Sequence, residues 1–362
     1  MNRREVLLTG AALAVAAGVA RGATASTGRP GALRILILGG TGFIGPHFVR
    51  EALTRGHAVT LFNRGKRQAE PTPGVATLVG DRNGQLEALA GRDWDAVIDN
   101  SGYVPRQVRL STHLLRERVR HYLFISTISV YSDLSAPGTT EDAPLERLAD
   151  PAVEKVDGTT YGGLKALCER VVQEDFAGRN TVVRPTYIVG PGDHTDRFTY
   201  WPWRMSMGGE MLAPGTPSDP IQYVDVRDLA RFVMGCVESP VPGTFNACSP
   251  PGFATMGGLL EASRRVTGAA TRVRWLDAAT LRAEGLVDGP GLPIWSPPTG
   301  ATAGAALVSS ARAVAAGLRF TPLEDTVRAT LEWLATRPPG QRDTLKAGLS
   351  REQESAVLAR HR

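Results

Sequence analysis

The sequence predicts an α/β protein: a doubly wound parallel sheet followed by a smaller, mixed C-terminal region. Three observations predict it. Short apolar runs alternate with helical segments through the first half of the chain, as expected for strands covered on both faces by crossover helices. One run, Leu33 to Leu38, leads straight into the glycine-rich turn Gly39-Gly40-Thr41-Gly42-Phe43-Ile44-Gly45 and then into a helical stretch. After Pro185 the alternation gives way to Gly, Pro and aromatic residues.

The elements follow in order. Leu33 to Leu38 reads as a buried parallel strand, and Phe43 to Arg55 as a helix stopped by Gly56, a residue suited to the C-terminal cap. Strands follow at Ala58–Phe62, Val75–Val79, Ala96–Asp99, Tyr122–Ser126 and Thr181–Arg184, with helices at Arg106–Arg118 and Tyr161–Phe176. Residues 33–185 thus form one predicted nucleotide-binding core. Residues 186–338 read as a region interleaved with it, on the substrate side, with helices at 225–238 and 255–267 and a Gly/Pro-rich loop at 285–304. Thr321-Pro322-Leu323-Glu324 reads as a capping box opening a helix with Leu323, Val327, Leu331 and Leu334 on one face. Residues 339–362 read as a polar, loosely attached tail with a weak helix at 352–360.

Residues 1–26 are set apart as a targeting segment. Arg3 and Arg4 precede an apolar stretch, Val6 to Ala20, and Ala23-Thr24-Ala25 offers a small-x-small cleavage site. The stretch is shorter than the roughly 20 residues a membrane-crossing helix needs, so no stable membrane insertion is expected. Asn2-Arg3-Arg4-Glu5-Val6-Leu7-Leu8 resembles the bacterial twin-arginine signal, with Val6 where Phe is favoured. The expected destination is the periplasm. The other reading is an uncleaved anchor or a misassigned start, the latter leaving the protein cytoplasmic.

Composition excludes several classes. The chain has 362 residues, 42% apolar and 21% charged, with a net charge of +5, which fits a globular domain with a sizeable core. Its cations are not clustered beyond Arg64–Arg67 and Arg116–Arg120, so nucleic acid is not the expected partner. Cys168, Cys236 and Cys248 are odd in number and widely spaced, which suggests neither a disulfide framework nor a zinc site. His47 and His194 lack ligand-like neighbours, and no metal is expected.

The chemistry begins at the glycine turn. Gly39, Gly42 and Gly45 form G-x-x-G-x-x-G between a strand and a helix. Glycine there lets the backbone approach a pyrophosphate, and the helix start supplies amide donors, with Thr41, Phe43 and Ile44 alongside. This is a Rossmann-type site for NAD or NADP. The second strand ends Phe62-Asn63-Arg64-Gly65-Lys66-Arg67 without an acid. An acid there would accept from the ribose of NAD; Asn63 and Arg64 instead favour the 2′-phosphate of NADP. Asp81 and Arg82 after the third strand, and Ser101 after the fourth, are further cofactor candidates. Tyr161 and Lys165, four residues apart, share one helix face. An ammonium beside a phenol lowers its pKa and suits it to proton transfer. Ser126-Thr127-Ile128-Ser129-Val130-Tyr131 closes the fifth strand, placing hydroxyls at the ligand-binding edge.

Together these motifs resemble the extended short-chain dehydrogenase/reductase family, also called the NAD-dependent epimerase/dehydratase family, over residues 33 to 335. The resemblance implies Thr127 as the catalytic hydroxyl, Tyr161 as general acid/base, and Lys165 as the residue that holds the nicotinamide ribose and supports Tyr161. Arg184-Pro185 and Tyr223-Val224-Asp225-Val226-Arg227-Asp228 match further family segments. Ile128 and Ser129 stand where sugar-nucleotide dehydratases carry Asp-Glu, which argues against a dehydratase. Val97 to Tyr103 together with Asn63 to Lys66 resembles the branch that includes chloroplast stem-loop-binding proteins. The family also implies a homodimer paired through the helices near 106–118 and 161–176.

The expected function is hydride transfer, as an oxidoreductase or epimerase, on a sugar-like alcohol or ketone. Candidate substrate contacts are Tyr103, Tyr187, Arg197, Trp201 and Gln222, with Thr186, Tyr200 and Trp203 nearby. The alternative is a non-catalytic dinucleotide-binding or RNA-binding member of the family, against which the intact Thr127, Tyr161 and Lys165 argue.

Overall fold

The computed structural model describes residues 31–66, 72–287 and 291–361. The expected signal segment and Arg67 lie outside them. Among the described residues the chain runs β1 (Arg34–Leu38), α1 (Gly45–Thr54), β2 (Ala58–Asn63), β3 (Val75–Val79), β4 (Trp94–Asp99), α2 (Pro105–Leu115), β5 (Val119–Ile125), α3 (Tyr161–Asp175) and β6 (Asn180–Pro185). It continues through β7 (Tyr187–Val189), α4 (Tyr200–Ser206), β8 (Gly209–Pro214), β9 (Pro220–Ile221), β10 (Tyr223–Asp225), α5 (Val226–Glu238), β11 (Gly243–Ala247) and β12 (Ala254–Thr255). The last elements are α6 (Met256–Thr267), β13 (Thr271–Leu276), α7 (Ala278–Ala283), α8 (Ala311–Ala315), α9 (Leu323–Ala335), α10 (Pro339–Arg342) and α11 (Arg351–Arg360).

Seven strands form the central sheet in the order β11-β6-β5-β4-β1-β2-β3, and each adjacent pair is parallel. The two-residue period of a strand explains how it is covered. Ile35 and Ile37 face one side and pack with Phe48 and Val49 of α1 and with the apolar face of α5. Leu36 and Leu38 face the other and pack with Val108, Leu115 and Cys168 of α2 and α3. A continuous apolar run is therefore what this strand requires. Strand order reverses between β1 and β4, and the carboxyl ends flanking that point open into the crevice where open α/β sheets bind ligands.

The C-terminal region has its own core, in which Trp201, Met205, Met211, Leu259 and Trp295 pack together. Three small two-stranded sheets frame it: β7 with β10, β9 with β12, and β8 with β13. Two sequence expectations change here. Thr321 does not cap α9: the helix starts at Leu323 with no side-chain cap, because Asp228 takes both the Thr321 amide and its hydroxyl at 2.7 Å. Residues 339–361 are not loosely attached. Ser350 and Gln353 form a capping box that opens α11. Val357 and Leu358 join the C-terminal core, and buried Glu354 pairs with Arg204 at 2.7 Å.

Candidate active site

The cofactor cleft, about 540 Å³, lies at the end of β1 and is lined by Gly39, Thr41, Gly42, Phe43, Ile44, Asn63, Arg64, Lys66, Asp81, Arg82 and Ser101. The fit to a dinucleotide rests on the glycine cradle. A Cβ on Gly45 would stand 2.3 Å from the Gly40 Cα and 2.5 Å from its carbonyl oxygen. α1 therefore starts against the turn with no room for a side chain. No side chain caps α1, which leaves its start open to an anion. Asn63 Oδ1 accepts from the Gly65 amide at 2.9 Å and shapes the loop that carries Arg64 and Lys66.

Arg82 and Asp81 line the cleft while bonding within the protein. Arg82 is buried and makes a two-pronged pair with Asp99, Nη1 at 2.6 Å and Nη2 at 2.8 Å. Asp99 lies fully inside and also accepts from the Tyr122 hydroxyl at 2.7 Å, so charge satisfaction at the end of β4 decides where Arg82 points. Asp81 Oδ1 accepts from the Asn83 amide at 3.0 Å, a local turn bond. Ser101 lines the cleft while its hydroxyl donates to the Leu38 carbonyl at 3.0 Å.

The catalytic candidates converge beside this cleft. Thr127 follows β5, and its Oγ1 accepts from the Ser129 amide at 3.1 Å. A Cβ on Gly162 would lie 2.1 Å from the Ser129 carbonyl oxygen; the absent side chain lets α3 begin hard against the Thr127 turn. Tyr161 and Thr127 consequently line one cavity. Behind them Arg184 and Glu169 form a buried pair at 2.6 Å, and Arg184 also donates to the Tyr131 hydroxyl at 3.0 Å. This network ties β6, α3 and the segment after β5 together.

Lys165 sits on the same face of α3, but its Nζ donates to the carbonyls of Gly102 and Ile125, each at 2.7 Å. It also lies 4.0 Å from the centre of the Phe124 ring. Burial pushes its pKa down to about 8. The expected acidification of Tyr161 by Lys165 is not found. Burial raises the Tyr161 phenol, with neighbouring Tyr103 adding to the rise, and Thr127 and Arg197 pull it partly back.

A second cavity of about 380 Å³ is lined by Thr127 and Tyr161. Phe43 and Ile188 line both spaces, so cleft and cavity meet there. Tyr187, Arg197 and Gln222 fall on its wall as expected from the sequence. Gln222 is already engaged, its amide donating to Ser249 O at 2.7 Å and Val308 O at 2.8 Å. Tyr103 lies in the cofactor cleft rather than the cavity. Trp201 reaches neither: it is fully buried in the C-terminal core and donates to Pro293 O at 2.8 Å. Tyr200 is likewise core.

Ser129 is on the cavity wall too, and sequence reasoning missed Ile294, Ser296, Ala305 and Ala306 there. The hydroxyls of Ser126 and Thr186, also there, are buried without a partner. Among the described residues, no cluster of three or more His, Cys, Asp or Glu could hold a metal ion. No helix among them is long and apolar enough to cross a membrane.

A glycine-cradled dinucleotide cleft joined to a cavity lined by Thr127 and Tyr161 defines a nicotinamide-dependent protein of the doubly wound class. The sequence profile of the NAD dependent epimerase/dehydratase family matches residues 35–248, and the chain belongs to that family. It is 29% identical over 256 residues to the chloroplast stem-loop binding protein of 41 kDa b of Arabidopsis thaliana, covering 65% of this chain and 63% of that protein's length. It is 28% identical over 244 residues to a 2-alkyl-3-oxoalkanoate reductase of Stenotrophomonas maltophilia, covering 62% of this chain and 71% of the relative. A UDP-glucose 4-epimerase shares the fold with a TM-score of 0.63 at 17% identity, covering 85% of this chain and 99% of its own. The NAD complex of a UDP-glucuronic acid 4-epimerase from Bacillus cereus does so with a TM-score of 0.59 at 16% identity, covering 83% and 98%.

Proposed function

We propose that this chain is an NAD(P)-dependent oxidoreductase or epimerase acting by hydride transfer on a sugar-like alcohol or ketone, nucleotide sugars included. The observation that carries the reading is the placing of Thr127 and Tyr161 together on the wall of a cavity that meets the glycine-cradled cleft. Relatives named as a reductase, a hydroxysteroid dehydrogenase and an epimerase support it.

When bound, the nicotinamide supplies or takes the hydride. Thr127 holds the substrate oxygen by a hydrogen bond. Tyr161 gives its hydroxyl proton to that oxygen in the reducing direction and receives one in the oxidising direction. Its raised pKa keeps the phenol protonated near neutrality, the state needed for the acid role. Lys165 holds the nicotinamide ribose and braces the ends of β4 and β5 through the Gly102 and Ile125 carbonyls. Arg64 and Lys66 at the rim favour NADP, and native mass spectrometry of the purified protein reads a retained 2′-phosphate directly. Export is by the twin-arginine route, with the cofactor loaded before the folded protein leaves the cytoplasm. Cell fractionation with N-terminal sequencing tests it.

Tyr161→Phe is expected to lower kcat by about 10²–10⁴-fold, the usual worth of a positioned acid/base, on an alcohol found by screening for reduction of NAD(P)⁺. Unchanged turnover would remove Tyr161 from the reaction. The name of the Arabidopsis relative favours a second reading, an RNA-binding protein. A gel-shift on a stem-loop RNA that weakens steeply with salt, with no turnover on any alcohol, selects it.

A further inference from the structure

The two non-glycine residues with positive φ among the described residues, Asp196 (62°) and Ile294 (60°), both belong to the substrate side. A β-branched residue in that conformation is a genuine outlier, and such strain persists only where the surroundings over-determine it. Ile294 lines the Thr127–Tyr161 cavity and also a larger outer chamber of about 790 Å³. Tyr187, Arg197 and Ser296 line both as well, so these four form the junction.

The turn around Asp196 is held from outside. Arg337 NH2 donates to Asp196 Oδ1 at 2.6 Å and to the Asp193 carbonyl at 3.1 Å. The Lys346 amide donates to Asp196 Oδ2 at 3.0 Å. Within the turn, Thr195 donates to Asp193 Oδ1 at 2.6 Å, and Arg197 Nε donates to Thr195 Oγ1 at 3.0 Å. The Arg197 guanidinium stacks on Tyr187, 5.0 Å from the ring centre. Among the described residues no carboxylate lies within ion-pair distance of it, whereas Arg184, Arg204 and Arg337 are all paired. A half-buried arginine, held over an aromatic ring with its outer nitrogens unspent, is built to receive an oxyanion.

We infer that Arg197 is the specificity-determining anchor for a carboxylate or phosphate on the substrate, and that Arg337 is the residue that positions it. The anion binds at the junction, the reacting carbon lies toward Thr127 and Tyr161, and the remainder extends into the outer chamber beside Trp295 and Pro297. This deepens the proposed function, on which it rests for the identity of the reacting end.

The test uses the full chain saturated with NADP⁺, whose 2′-phosphate fills the Arg64 and Lys66 rim, so that phosphate cannot occupy the dinucleotide cleft. Sodium phosphate and sodium acetate are titrated at constant ionic strength while the thermal midpoint is followed. At least one anion is expected to give a saturable rise, and the one that does identifies the charged group. Arg197→Met is expected to weaken that binding about tenfold, with Arg197→Lys recovering part of the loss. Arg337→Met is expected to weaken it similarly, although it contributes nothing to the cavity wall, while NADP⁺ affinity stays unchanged in all three. A merely structural Arg337 would lower the midpoint without moving the anion's half-saturation. Saturation that is absent for both anions, or the same in Arg197→Met and Arg197→Lys as in the unaltered protein, overturns the inference. Tyr161→Phe should bind the anion normally, so failure of the hydride-transfer reading appears in turnover alone and failure of the anchor in the titration alone.

Discussion

The cofactor cleft and the substrate cavity share a wall but are made differently. The cleft is local: one turn, Gly39 to Gly45, supplies its backbone, and the ends of the neighbouring strands β2, β3 and β4 supply its rim. The cavity is assembled from far apart, with Thr127, Tyr161, Tyr187, Arg197, Gln222 and Ile294 drawn from separate elements. A site made of backbone depends on the absence of atoms. A site made of side chains depends on long-range supports that hold each one in place. The two should therefore fail differently when altered.

The largest effect should fall on the cleft. Gly45→Val would drive a Cβ into the Gly40 backbone, where 2.3 Å separates it from Cα, and no flexible side chain is there to yield. Native mass spectrometry should find no retained NAD(P), with circular dichroism checking that the fold persists. Tyr187→Phe, at the cavity wall, should leave cofactor retention intact. If Gly45→Val keeps its cofactor, the cleft is not built on the glycine approach and the contrast fails.

The next effect should fall on a support of the cavity. Arg204 and Glu354 are both essentially inaccessible and meet at 2.7 Å, and Glu354 also accepts from the Leu212 amide at 3.0 Å. Arg204→Met leaves the carboxylate buried with Arg351 as its remaining cation, at 3.1 Å. Breaking one side of a buried pair costs about 3–5 kcal/mol, which urea unfolding should register. The cleft should still bind NAD(P) at saturating concentration, because none of its lining comes from α4 or α11. Loss of cofactor affinity in parallel with stability would mean that the two halves are one cooperative site.

The same contrast explains what the sequence revealed. Strand periodicity and the glycine turn are local signals, and β1, β3 and α3 fall within a residue or two of their expected bounds. Tyr161 and Lys165 could be placed on one helix face by spacing alone. What could not be read was competition between distant groups. Arg82 was a cofactor candidate by position, and nothing local shows that Asp99, fully buried at the end of β4, holds its guanidinium. Trp201 looked like a stacking platform, but the C-terminal core absorbed it through Pro293. Thr321 looked like a cap until Asp228 captured it. No local rule would assign Ile294 a positive φ, and none would join residues after Pro338 to the Asp196 turn.

The smallest effect concerns Lys165, where local geometry and burial oppose each other. Two carbonyl acceptors at 2.7 Å and the Phe124 ring favour its charged form, while burial disfavours it and prevails, taking the pKa from 10.5 to about 8. Below pH 8 the folded and unfolded chains both keep this proton, and the penalty is constant. Between pH 8 and 10.5 the unfolded chain keeps it and the folded chain releases it, so this group's contribution to stability rises with pH. The slope is at most about 1.4 kcal/mol per pH unit. Lys165→Met has no such contribution. Urea unfolding of both proteins from pH 7 to pH 9.5 should show a constant difference at first, then a gain by the unaltered protein above pH 8. Parallel curves throughout would mean that the two carbonyls and the ring outweigh burial. Lys165 would then stay charged across the working range, and the ends of β4 and β5 would form a polar floor as fixed as the glycine turn beside it.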